Sequence, residues 1–184
     1  MRSISGMTLV SFMALAVPAG AQTHESHHPL GTGTHPATPY AGLEQRPIKA
    51  LSDQQIADLR AGRGMGLALP AELNGYPGPV HVIELADALR LTDAQRSRAK
   101  TLFEEMKAET IPLGERIIAE ETALDRLFAD QTITPAMLTA VTARIATVQG
   151  ELRAAHLRYH LTMRDTLTPD QIALYDDKRG YRRR

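Results

Sequence analysis

His156 and His160 stand four residues apart in the run His156-Leu157-Arg158-Tyr159-His160, so on a helix they share one face, one turn apart. Imidazoles placed this way chelate zinc, copper or nickel, and Met163, three residues on, adds a thioether that favours softer copper(I). Two histidines seldom suffice, because a zinc site normally takes about four ligands. A carboxylate such as Glu120, or residues from a dimer partner, would have to complete the set. A second histidine group, His24, His27, His28 and His35, lies near the N-terminus. Cleavage after Ala21 would leave Gln22-Thr23-His24 with a free amine and a histidine in third position. Amine, two backbone amides and imidazole together suit Cu(II) or Ni(II), unless the N-terminal glutamine cyclises. The plainer alternatives are half-buried surface histidines on the helix and a solvated tail at the N-terminus.

The chain around these residues narrows the chemistry further. Its 184 residues suit one domain, and 21 basic side chains balance 21 acidic ones, which argues against general nucleic-acid binding. The absence of cysteine excludes disulfides, thiolate metal sites, cysteine nucleophiles and a lipoprotein anchor. Arg2, the apolar run Met7–Val17 and the segment Pro18-Ala19-Gly20-Ala21 form an export signal cut after Ala21, too short to span a bilayer. Residues 1–21 are therefore read as a signal peptide and the mature protein as periplasmic, with no membrane insertion after cleavage. Residues 22–47, rich in His, Pro, Gly and Thr, read as a flexible arm, 48–181 as a folded domain, and Arg182–Arg184 as a basic tail.

Within 48–181 no β-rich run occurs, so the fold class is all-α. Short helices are expected from Ser52, near Ala71 and from about Pro79, punctuated by glycine and proline. Two long helices follow. The first runs from about Asp93 to Ala129, with Ala99, Leu102, Phe103, Met106, Leu113, Ile117, Leu124, Leu127 and Phe128 on its apolar stripe and Pro112 expected to kink it. The second runs from Thr134-Pro135 to about Thr166, striped by Leu138, Val141, Ile145, Val148, Leu152, Ala155 and Tyr159. The connector Asp130–Ile133 is so short that the two must form an antiparallel hairpin.

A bare hairpin offers no evident enclosed substrate pocket. No Ser-His-Asp set or H-E-x-x-H motif is visible either, and the glycine run Gly62–Gly66 lacks the preceding strand and following Lys-Ser/Thr of a phosphate loop. The expectation is a non-enzyme. Charges on the long helices, Arg144, Arg153, Arg158 and Arg164 on one and Glu104, Glu105, Glu109, Glu115, Glu120 and Glu121 on the other, make either a mixed surface for weak client binding or ordinary solvated faces.

One motif recurs. Leu91-Thr92-Asp93-Ala94-Gln95 and Leu167-Thr168-Pro169-Asp170-Gln171 both read L-T-x-x-Q, and Leu51-Ser52-Asp53-Gln54-Gln55 is a serine version. Physically each is a capping box, with the hydroxyl on the N3 amide and the glutamine on the N-cap amide. Leu51 with Ile56 and Leu167 with Ile172 supply hydrophobic staples; Arg96 replaces the apolar partner in the third copy.

The three boxes in an exported, cysteine-free, all-α chain resemble the LTxxQ-motif family of periplasmic stress proteins, which takes in Spy/CpxP chaperones, zinc-resistance-associated proteins and CnrX-like heavy-metal sensors. The resemblance covers roughly 48–181 and is strongest across Leu91–Gln95 and His160–Gln171. It implies a hooked helical hairpin that dimerises into a curved cradle, with either ATP-independent holding of unfolded proteins or metal sensing. CnrX-like sensors pair late-helix ligands with a His-x-x-x-His on an early helix; here Leu85 stands four after His81, leaving His81 and Glu84 as an i, i+3 pair. The leading expectation is an envelope-stress chaperone that needs no cofactor and binds unfolded envelope proteins. The competing ones are a heavy-metal resistance or sensor protein taking Zn, Cu or Ni, and a regulatory partner of a membrane stress sensor.

Overall fold

The computed structural model describes residues 39–181, and no strand occurs among them. The signal segment, the arm histidines His24, His27, His28 and His35, and the Arg182–Arg184 tail lie outside the described residues. After a 3-10 turn at Leu43–Gln45 come α1 (Asp53–Arg60), α2 (Leu69–Glu72), α3 (Pro79–Glu84), α4 (Asp93–Ala129), α5 (Pro135–Thr166) and α6 (Pro169–Arg179). No described helix is long and apolar enough to cross a membrane.

Local sequence sets where these helices begin. Ser52, Thr92 and Thr168 each accept the N3 amide while Gln55, Gln95 and Gln171 return to the N-cap amide, so all three capping boxes form. Pro135 and Pro169 occupy first-turn positions where their missing N–H costs nothing. Gly180 ends α6 at φ 73°, a left-handed cap that suits glycine. Helix α4 continues through Pro112 as one element, with the buried Thr110 hydroxyl donating to the Met106 carbonyl at 2.8 Å.

Helices α4 and α5 pack as the antiparallel hairpin. Ala99, Leu102, Met106, Ile117 and Ile118 are buried on α4, and Val141, Ile145, Val148, Leu152 and Ala155 on α5. Three ion pairs cross between the long helices and mark their register: Arg158–Glu109 at 2.7 Å, Arg116–Glu151 at 2.7 Å and Arg144–Glu120 at 2.9 Å. The charges thus stitch helix to helix, each pair adding about 0–1 kcal/mol at such exposure.

The short helices cover the hairpin unevenly. Helix α1 lies on its middle, where Ile48, Leu51 and Leu59 join Ile117, Ile118, Val148 and Leu152 in one cluster. A Cβ on Gly114 would collide with the Leu59 backbone, so only glycine lets α1 come this close. Helices α3 and α6 cover the open end, where Val82, Ala86, Leu89 and Leu91 meet Ala99, Leu102, Met163, Leu167 and Tyr175. Toward the turn end the segment before α1 reaches Asp125, whose carboxylate takes the Lys49 N–H and Nζ, both at 3.4 Å. Phe128 and Leu138, expected on the apolar stripes, are 54% and 39% exposed there, because the stripes run past the last covering helix.

The two L-T-x-x-Q boxes meet at the covered end. Gln95 Nε2 donates to Gln171 Oε1 at 2.8 Å, and Gln171 Nε2 donates back to Gln95 Oε1 at 3.0 Å. The same amides reach the carbonyls of Thr166 at 3.0 Å and Leu89 at 3.3 Å. Each glutamine therefore caps its own helix and clasps the other one.

Candidate metal centre

The late-helix histidines point inward. His156 is 2% exposed and His160 7% exposed on the buried face of α5. Helices α2 and α3, the loop Ala61–Gly66 and the C-terminal end of α6 enclose them with α4 in a cleft of about 580 Å³. The short helices thus build a cavity that a bare hairpin would lack. Its apolar wall includes Met65, Leu69, Phe103 and Met106, and its charged rim includes Arg63, His81, Glu84, Lys107 and Arg179.

The two imidazoles are held differently. His160 Nδ1 lies 2.7 Å from the Tyr76 carbonyl oxygen, which can only accept, so Nδ1 carries a proton and Nε2 is the nitrogen left for a ligand. Tyr76 is itself fixed by the Arg164 guanidinium, 4.4 Å above its ring centroid. Gly78 closes on the far edge of the ring: a Cβ there would lie 2.8 Å from His160 Cε1 and 3.0 Å from Nε2. His156 has its Nε2 buried with no hydrogen-bond partner among the described residues. Burial first, and the neighbouring His160 second, push its pKa down to about 4, so the ring is neutral at neutral pH. Gly64 sits on its other side, where a Cβ would lie 3.8 Å from His156 Nδ1.

Behind His160 lies a buried carboxylate. Glu72 is 6% exposed, and its Oε2 accepts the Gly78 N–H at 3.1 Å and lies 3.7 Å from His160 Nδ1. Its Oε1 accepts the hydroxyls of Tyr175, in a very short bond, and of Tyr181, at 3.2 Å, with Arg179 Nε 3.7 Å away. Burial and the Glu72 partner raise the Tyr175 phenol well above its ordinary range, so it stays a donor.

The other sequence candidates fall elsewhere. Met163 is fully buried in the aliphatic cluster of α3 and α6 and does not line the cleft. Glu120 is bound by Arg144 through both carboxylate oxygens, at 2.9 and 3.1 Å, about three turns along α5 from His156, so it does not complete the histidine pair. His81 and Glu84 do pair, at 3.0 Å, on the rim of the same cleft. Among the described residues no three His, Asp or Glu side chains gather closely enough to hold an ion by themselves. Glu72, Tyr175, Tyr181 and Arg179 escaped the sequence reading, since α2 is a single turn whose Glu72 meets α6 only after the chain has folded back.

The unpartnered His156 nitrogen and the oriented His160 ring fit a metal ion's donor requirements: both are aromatic nitrogen donors on rings shielded from water. Among protein-family models, one described as heavy-metal resistance matches residues 66–173, more than half of the 184-residue chain. No curated protein and no solved structure matches it.

Proposed function

Because the chain belongs to the heavy-metal resistance family, among the LTxxQ group of periplasmic proteins, we propose that it binds a heavy-metal ion reversibly through His156 and His160 in the cleft under α2 and α3. The observation that carries the reading is the buried His156 Nε2 without a partner, one turn from a second imidazole whose Nδ1 is held by the Tyr76 carbonyl. An unsatisfied buried nitrogen costs about 1–3 kcal/mol, a cost that a ligand function explains and a packing function does not. Tyr76 and Gly78 orient His160, Glu72 anchors the loop before α3, and the apolar wall excludes water. The bound ion would be withheld from other envelope proteins, which is resistance, and its presence would be registered in the packing of α3 and α6, which is sensing. The proposed place of action is the periplasm, supported by the Met7–Val17 run and the small-residue cleavage site. No catalysis is invoked.

Calorimetric titration of the full chain and of a His156→Ala/His160→Ala variant with Zn(II), Ni(II) and copper tests this. One site present in the parent and lost in the variant is expected. Equal binding in both would refute the cleft as the site. A second reading, holding of unfolded proteins by a dimeric cradle, rests on the exposed Phe128, Met137 and Leu138 at the turn end, away from the cleft. Suppression of client light scattering without ATP, lost on replacing Phe128 and Leu138 by serine, is what that reading requires.

A further inference from the structure

The cleft's donors are unequal in what they have left to give. Both Glu72 oxygens are committed, to Tyr175, Tyr181, Arg179 and the Gly78 N–H, in a buried network. Glu84 is tied to His81 on the rim. Asp58, close by the loop, holds Arg63 at 2.7 Å and Gln54 at 2.8 Å. Opening the Glu72 network for an ion would strip a buried tyrosine of its acceptor, so hard oxygen ligation is disfavoured here. The charged lining adds to this: Arg63, Lys107 and Arg179 outnumber Glu72 and Glu84, which repels a divalent cation more than a monovalent one.

What remains is soft. His156 Nε2 has no hydrogen-bond partner, the His160 ring bonds the Tyr76 carbonyl through Nδ1 and leaves Nε2 for a ligand, and two thioethers, Met65 and Met106, line the same cleft. Met106 lies on the buried face of α4, three residues before Glu109, whose pair with Arg158 marks the register, so it stands level with the turn of α5 that bears His160. Met65 follows Gly64 in a loop pinned at both sides and lines the cleft with His156. Gly62, at φ 64°, fits so tightly on α4 that a Cβ would lie 2.7 Å from Thr110 Oγ1, and Gly64 faces the His156 ring. Met65 itself sits at φ 44°, unusual for a side-chain-bearing residue, and is 41% exposed. A half-exposed methionine at positive φ, on the loop beside a buried histidine, is an observation that points beyond packing.

We propose that this cleft selects a soft monovalent ion, Cu(I) or Ag(I), with His156, His160, Met106 and Met65 as donors and Glu72 as scaffold rather than ligand. The inference rests on the metal-binding reading above and adds the class of metal. The test uses the full chain with His24, His27, His28 and His35 replaced by alanine, so that the arm offers no competing imidazole. Cu(I) is titrated anaerobically against bicinchoninate, and Zn(II) and Ni(II) by calorimetry. One Cu(I) should be held, and Met106→Leu with Met65→Leu should weaken it about tenfold or more, a loss of about 1.4 kcal/mol. Glu84→Gln should leave Cu(I) affinity within about threefold, since Glu84 is held by His81 on the rim and is not a donor. Leucine conserves the methionine volume and Met65 is exposed, so circular dichroism and Tm should stay at parent values. Cu(I) affinity unchanged by the methionine substitutions, or Zn(II) preferred and lost in Glu84→Gln, would overturn the soft-metal assignment. In that event metal lost on His156→Ala/His160→Ala would keep the cleft reading alone. Metal binding indifferent to those histidines would overturn both.

Discussion

At the scale of single residues, His156 is the side chain that packing does not account for. It is held 2% exposed with a nitrogen that bonds nothing among the described residues, while its neighbour His160 is tied to the Tyr76 carbonyl at 2.7 Å. Leucine has nearly the same volume and no nitrogen to strand. His156→Leu should therefore raise unfolding stability by about 1–2 kcal/mol in urea while removing the metal site. A pH dependence follows with a definite sign. The folded ring has its pKa near 4 against 6.5 for an ordinary histidine, so between those values the unfolded chain binds more protons. The contribution of His156 to stability is complete above about pH 6.5 and falls as pH drops towards 4, by on the order of 3 kcal/mol in full. The slope of stability against pH in that window should be shallower in His156→Leu; an identical slope would show that the ring is not buried neutral. The histidine pair was legible in the sequence as an i, i+4 spacing. That one ring would be orphaned and the other clamped was not, because Tyr76, Gly78 and Glu72 reach them from elements distant in sequence.

At the scale of elements, the L-T-x-x-Q boxes do more than start helices. The box around Ser52 caps α1 alone, whereas Gln95 and Gln171 also exchange hydrogen bonds at 2.8 and 3.0 Å across 76 positions of chain. Alanine at Gln95 or at Gln171 should each cost about 1–2 kcal/mol. The pair should be coupled by about 0.5 kcal/mol or more, the double variant costing less than the sum, since either change already breaks the clasp. Gln55→Ala combined with Gln95→Ala should be additive. Denaturant melts of the two cycles decide it. The capping spacing, the helix limits near Asp93, Ala129, Pro135 and Thr166, and the antiparallel pairing were all readable, because local capping and a short connector determine them. The clasp was not readable, since no local rule brings the starts of α4 and α6 together. The apolar stripes were over-read at the turn end, where Phe128 stays exposed: periodicity tells which face is apolar but not how far the covering elements extend.

At the scale of the whole molecule, one end of the hairpin is hooked over by α2, α3 and α6 and holds the cleft, and the other carries exposed apolar side chains. The two ends therefore separate the proposed ion site from the exposed apolar surface, and cross-helix ion pairs mark the register of the helices between them. The central claim is that the buried imidazoles are the ligands. It is tested most directly by long-range nitrogen–proton NMR of the histidine rings in the arm-substituted chain, before and after one equivalent of metal. The Nε2 resonances of His156 and His160 should shift together at a one-to-one ratio, while His160 Nδ1 keeps its bonded proton to the Tyr76 carbonyl. Unmoved Nε2 resonances at both rings, with metal bound or absent, would contradict the account.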